Sequence, residues 1–119
     1  MEKVNLEEKF GLFNDPWHPR IVGELKDSYM KVVKLQGEFV WHHHDREDEL
    51  FWVIKGALRM RFRDREVIVN PGEFIIVPRG VEHISVADAE CQIVLLEPKT
   101  TLNTGNVQNE RTVAQLECI

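Results

Sequence analysis

The chain has 119 residues, 43% of them hydrophobic and 29% charged, and a formal net charge of −5. That size and mixture fit one globular domain over residues 1–119, and they exclude a disordered chain, a collagen-like chain and a disulfide scaffold. The acidic balance makes the chain a poor candidate for phosphate contacts, which need clustered Lys and Arg, so neither nucleic acid nor an anionic membrane is an expected partner.

Residues 1–28 form a mixed arm with no apolar signal core, in which Asp15-Pro16-Trp17-His18-Pro19 reads as an irregular loop. No run approaches the ~18 apolar residues of a membrane span, so the expected location is the cytoplasm. The two cysteines, Cys91 and Cys118, belong to no CxxC pair and read as buried or incidental thiols in a reducing compartment.

From about Tyr29 the strand signal takes over. Lys31–Leu35 is short and β-branched, and Glu38–Trp41 is strand-like. Leu50–Ile54 is an apolar run that reads as a strand buried on both faces. Ala57–Arg63 alternates, with Leu58, Met60 and Phe62 on one face and Arg59, Arg61 and Arg63 on the other. Asp64-Arg65 reads as a hairpin turn into Glu66–Val69, and Asn70-Pro71-Gly72 is a strong turn. Glu73–Val77 is another apolar strand, closed by Pro78-Arg79-Gly80. Val81–Val86 and Cys91–Leu96 complete the series as two strands with Ala87-Asp88-Ala89-Glu90 between them. Seven or eight short strands without a helical period are the pattern of an antiparallel sandwich or barrel, with its core over about residues 29–97. The arm from 98 to 119 begins as a polar loop, and Glu110–Leu116 reads as a last short strand or one helical turn.

The candidate chemistry lies in His42-His43-His44, Glu49 and His83. On a strand His42 and His44 share a face and His43 points away. Glu49 adjoins the apolar run Leu50–Ile54, which can hold it rigidly, so it is preferred to Glu47 and Asp48 as an oxygen donor. Three nitrogens and one oxygen suit a single divalent ion of Fe, Mn, Co, Ni, Cu or Zn. The Arg59, Arg61, Arg63 row reads as a solvated or interface face. Trp17 reads as packing over one end of the barrel, with His18 beside it.

The spacing Gly37-(x4)-His42-x-His44-(x4)-Glu49-(x6)-Gly56 resembles the first motif of the cupin superfamily, and Gly72-(x5)-Pro78-x-Gly80-(x2)-His83 resembles the second. The link Ala57–Pro71 is similar to the short spacing of small microbial cupins. The likeness is to small single-domain "cupin 2 conserved barrel" proteins, often labelled mannose-6-phosphate isomerase-like. Two positions depart from the pattern: one residue fewer separates Gly37 from His42, and Ala87 stands where the second motif has Asn.

The resemblance implies an all-β fold, an antiparallel double-stranded β-helix or jelly-roll barrel with irregular N- and C-terminal segments. It implies metal ligands at His42, His44, Glu49 and His83. Enzymes, binding modules and sensors all occur on this fold. The expectation is a small metalloenzyme of dioxygenase or isomerase type, acting on a small oxygen-rich organic molecule, with Glu49 as a further catalytic base. The alternative is a non-catalytic module that captures a small metabolite or a metal. Apolar faces that the arms can cover only in part lead to the expectation of a homodimer.

Overall fold

The computed structural model covers residues 1–119 and is built almost wholly from antiparallel strands. The order is α1 (Leu6–Phe10), β1 (Arg20–Leu25), β2 (Ser28–Glu38), β3 (Glu49–Lys55), β4 (Leu58–Phe62), β5 (Glu66–Val69), β6 (Phe74–Val77) and β7 (His83–Pro98). The main path of the sheet runs β1-β2-β7-β3-β6, while β4, paired with β5, also joins β7. β7 is the element that closes the barrel. Its first residues pair with β4 (Ser85 opposite Met60), and its later ones pair with β3 (Leu95 opposite Phe51). β2 follows β7 through both parts.

The expected pair of strands Val81–Val86 and Cys91–Leu96 is thus one bent strand. Its partner explains the continuity: Leu35 pairs with Cys91 and Gly37 with Ala87, so residues 88–90 of β7 bulge opposite Gln36 and the pairing with β2 continues on either side of them. Gly37 sits at φ +87, a left-handed conformation that glycine adopts without strain. Ala87 is fully buried, while residues 88–90 stay in the strand with their side chains in water.

Both arms are more ordered than their composition suggests. Asn5 caps α1 by accepting the Glu8 N–H at 3.0 Å, and Phe10 packs with Phe13, Val32 and Val94 on the outside of the sheet. β1 adds an edge strand to β2. Glu110–Leu116 forms turns and bends only, neither strand nor helix, and the chain then returns to bridge Cys118 to Ile21. The strand-like run Glu38–Trp41 leaves the sheet after Glu38, although the Phe39 N–H still donates to the Ser85 carbonyl at 3.0 Å.

Inward-facing residues of β2 to β7 fill the barrel, among them Val33, Leu35, Phe51, Val53, Leu58, Met60, Ile93 and Leu95. Trp17 closes one end, as its place in the sequence suggests. β3 is buried on one face rather than two. Phe51 and Val53 point inward, but Trp52 is 38% exposed, and beside it Phe74 and Ile76 of β6 are 60% and 52% exposed. α1 covers the sheet around Val32 and Val94 and leaves this outer face bare. No helix is long and apolar enough to cross a membrane.

Candidate metal centre

The link between β2 and β3 carries the histidine triplet across the barrel mouth. His42 and His83 exchange both backbone hydrogen bonds, at 3.0 and 2.9 Å, which sets their rings side by side with centroids 4.3 Å apart. His44 comes back to the same side, and its carbonyl accepts the Gly80 N–H at 2.7 Å. Gly80 turns the chain at φ +80 to reach that carbonyl. Glu49 opens β3 opposite Val77. All four side chains are buried, and one donor atom from each lies within 4.8 Å of the others.

The ring hydrogens are fixed by neighbouring carbonyls. His42 Nδ1 is 2.9 Å from the Val40 oxygen, and His83 Nδ1 is 2.9 Å from the Val81 oxygen. A carbonyl only accepts, so each Nδ1 carries the proton and each Nε2 keeps its lone pair for the interior. Burial, reinforced by the charge of His83, pushes His42 down to about 4, so its ring is neutral at physiological pH. His44 Nε2 stands 3.1 Å from Glu49 Oε1 and His83 Nε2 stands 3.6 Å from it. These three atoms are fully buried and lack well-formed hydrogen bonds. Buried polar atoms are rarely left so, and a divalent cation would satisfy all of them at once. The donor set fits a transition metal.

Behind Glu49 lies a pair of ionisable residues to which the sequence reading gives no role. Lys31 Nζ is 2.7 Å from Glu97 Oε1, and both side chains are buried. Glu97 lies beside Glu49, and its second oxygen, Oε2, is buried without a hydrogen-bond partner. Burial and the negative charge of Glu49 push the Glu97 carboxyl well above its ordinary range, with Lys31 offsetting part of the shift. For Glu49 burial acts upward as well, but polar contacts with Glu97, His44 and His83 outweigh it and hold its carboxyl well below the usual range. Glu49 is the ionised member of the pair. The signal for Lys31 and Glu97 was present in the period of the strands. Lys31 is in phase with Val33 and Leu35, and Glu97 with Ile93 and Leu95.

The remaining candidates sit elsewhere. His43 turns outward to Asp45, with Nε2 2.9 Å from Oδ1. Glu47 accepts from the Thr100 hydroxyl and Asp48 from the Arg79 N–H, so neither reaches the cluster. Arg59 is paired with Glu66 and Asp88, and Arg63 with Glu82. His18 is exposed, 3.8 Å from Asp15. A cavity of about 40 Å³ opens against His42 and Glu49, walled by barrel residues and closed by Trp17 and Asn103.

An antiparallel barrel with three imidazoles and one carboxylate at its mouth defines a double-stranded β-helix barrel whose buried cluster could hold a metal ion. The family model for the cupin domain matches residues 29–97, and the chain belongs to the cupin family. A solved cupin-2 domain protein from Shewanella frigidimarina is 45% identical, with a TM-score of 0.80, over 81% of this chain and 94% of that one. Two proteins of Bacillus subtilis strain 168 are also similar. The uncharacterized protein YdbB is 33% identical over 63 residues, 52% of this chain and 56% of its own. Quercetin 2,3-dioxygenase is 33% identical over 78 residues, 60% of this chain and 23% of its own. The chain therefore spans just over half of one curated relative and under a quarter of the other.

Proposed function

We propose that the protein is a metal-dependent enzyme acting on a small organic molecule that offers oxygen donors, by dioxygenase- or isomerase-type chemistry. The observation that carries this reading is the convergence of His44 Nε2, His83 Nε2 and Glu49 Oε1, buried and without hydrogen-bond partners, beside a small cavity lined mainly by apolar side chains. His42, His44, Glu49 and His83 would hold one divalent ion, drawn from Fe, Mn, Ni, Co, Cu or Zn. Such an ion would supply Lewis acidity and coordination positions open to a ligand's oxygens. His42 and His83 arrive with their tautomers set. Glu49, ionised and lining the cavity, can take a proton from a molecule bound there, while Glu97 and Lys31 hold its side chain from behind. The partial similarity to quercetin 2,3-dioxygenase supports the oxygenase branch. A cytoplasmic setting belongs to the same reading, because the two free thiols suit a reducing compartment.

A second reading is a non-catalytic module that captures a small metabolite. It is favoured by the sparse polar lining: apart from His42 and Glu49, only Ser85 and Asn103 bring polar side chains to the cavity. Metal analysis of untagged protein followed by O2-uptake assays with diketones, phenols and keto acids separates the two. About one ion per chain is expected, lost in His42→Ala and His83→Ala and kept in His43→Ala. Equal metal loss in all three variants would refute the site. Metal uptake with no turnover on any of Fe, Mn, Ni, Co, Cu or Zn, in air or without it, would give the lead to the binding module.

A further inference from the structure

The cavity beside the four residues is apolar and has no cationic group. Its walls are Val33, Leu35, Phe39, Phe51, Ile93 and Leu95. The two lysines buried nearby are committed elsewhere, Lys31 to Glu97 and Lys34 to the Phe13 carbonyl at 2.7 Å. A phosphate, a polycarboxylate or a sugar ringed with hydroxyls would enter against hydrocarbon and lose its water without replacement. A ligand with an apolar body and its oxygens gathered at one end would lose little.

The cavity is also nearly full. At about 40 Å³ it has room for two or three water molecules and not for an organic ring. The group filling the remaining space is Trp17. Its indole stacks on Phe39 with centroids 4.8 Å apart and planes 17° from parallel, and Phe39 presents its edge to His42. Trp17 belongs to a loop flanked by Pro16 and Pro19, and its backbone sits at φ +64, a conformation that is strained for a bulky residue. The ring is packed into the core at 8% exposure, but its polar contacts are three: Nε1–H to the Gln36 carbonyl at 2.9 Å, the backbone N–H to the Lys34 carbonyl at 2.8 Å, and the Arg111 guanidinium 5.3 Å from the ring.

We propose that Trp17 is a displaceable aromatic plug, and that the ligand it admits has a flat, apolar ring with two adjacent oxygen donors, the ring taking the place of the indole on Phe39. This rests on the reading that the four residues hold a metal ion, and it narrows the ligand from any small oxygen-bearing molecule to one with an apolar body. Trp17 then determines both size selection and the rate of entry, while Phe39 and Phe51 supply the surface that retains the ring.

The test uses the intact protein loaded with Co(II) and two probes with the same chelating group, acetohydroxamate and benzohydroxamate. Binding is followed through the visible spectrum of cobalt, and no turnover is needed. Benzohydroxamate is expected to bind at least tenfold more tightly than acetohydroxamate, with mannose 6-phosphate weaker than both. Trp17→Ala is expected to speed benzohydroxamate association by tenfold or more. Should Trp17→Ala fail to fold, Trp17→Phe is expected to speed it several-fold, and Phe39→Leu to cut the phenyl preference. Affinities for the two hydroxamates within threefold, or association unchanged in the Trp17 variants, would overturn this inference alone. Failure of the wild-type protein to take up cobalt would overturn the metal reading and this inference with it.

Discussion

Lys31 Nζ lies 2.7 Å from Glu97 Oε1, with neither side chain more than 2% exposed. The other face of Glu97 meets Glu49, and two buried carboxyls side by side do not both ionise, so one of them keeps its proton. Three buried ionisable groups thereby carry one positive and one negative charge. Glu97→Leu should leave the Lys31 ammonium buried and unpaired, a loss of about 3–5 kcal/mol. Glu97→Gln keeps an acceptor for Lys31 and a donor for Glu49, and should cost only about 1 kcal/mol. Urea unfolding of the metal-free variants measures both. Equal losses would show that the proton does not reside on Glu97.

His42 gives a pH dependence of known sign. In the metal-free fold it titrates near 4, against 6.5 for an ordinary histidine. As pH falls, the unfolded chain takes up this proton first. The contribution of His42 is therefore complete above about 6.5 and lost between there and about 4, a change of about 3 kcal/mol. Glu97 acts in the opposite sense: held protonated in the fold, it loses stability relative to the ionising unfolded chain as pH rises above about 4.5. A comparison with His42→Asn isolates the histidine. The gap in unfolding free energy between metal-free wild type and His42→Asn should be about 3 kcal/mol larger at pH 7.5 than at pH 4. A gap constant over that range would mean that the ring takes up its proton in the fold as readily as in the unfolded chain.

Most of the barrel was legible because strands announce themselves locally. The alternation in Leu58–Phe62 and the turns at Gly56, Gly72 and Gly80 fix element after element, and the two-residue period turns His43 away from His42 and His44. What local pattern could not show is continuity supplied by a distant partner. Residues 88–90 look like a loop and pair with no residue of β2, yet the strand runs through them because β2 pairs on both sides, at Ala87 and at Cys91. β1 is similar, a mixed sequence held as an edge by its pairing with β2. Lys31 and Glu97 were hidden for another reason. Charged residues are usually solvated, and only the phase of their strands betrays that each needs the other inside.

The bare outer face of β3 and β6 predicts an assembly. Trp52 stands opposite Phe74 and Leu50 opposite Ile76, and exposed Ile68 adjoins them on β5. Apolar side chains gathered on one open sheet face mark a protein contact, and we expect two copies to pair through it as a homodimer. Light scattering at micromolar concentration should give twice the chain mass. Phe74→Glu should reduce it to one chain while metal content stays unchanged, because these side chains point away from the barrel interior. A monomeric wild type would contradict the expectation.

The proposed function gives Glu49 two roles, metal donor and base, and one substitution separates them. Its carboxyl is buried and ionised, lines the cavity and is steadied by Glu97. Glu49→Gln keeps an oxygen in the same position, but that oxygen is neutral and a poor proton acceptor. If Glu49 only holds the ion, metal affinity and turnover should fall together, and excess metal should restore turnover. If it also removes a proton, turnover at full metal occupancy should stay low by about 10²–10⁴-fold. The measurement is metal content and rate on the same sample, titrated with metal to saturation, with the substrate that the O2-uptake screen identifies. Recovery of the wild-type rate at saturation would eliminate the base and leave a reaction whose acidic proton departs without help from Glu49.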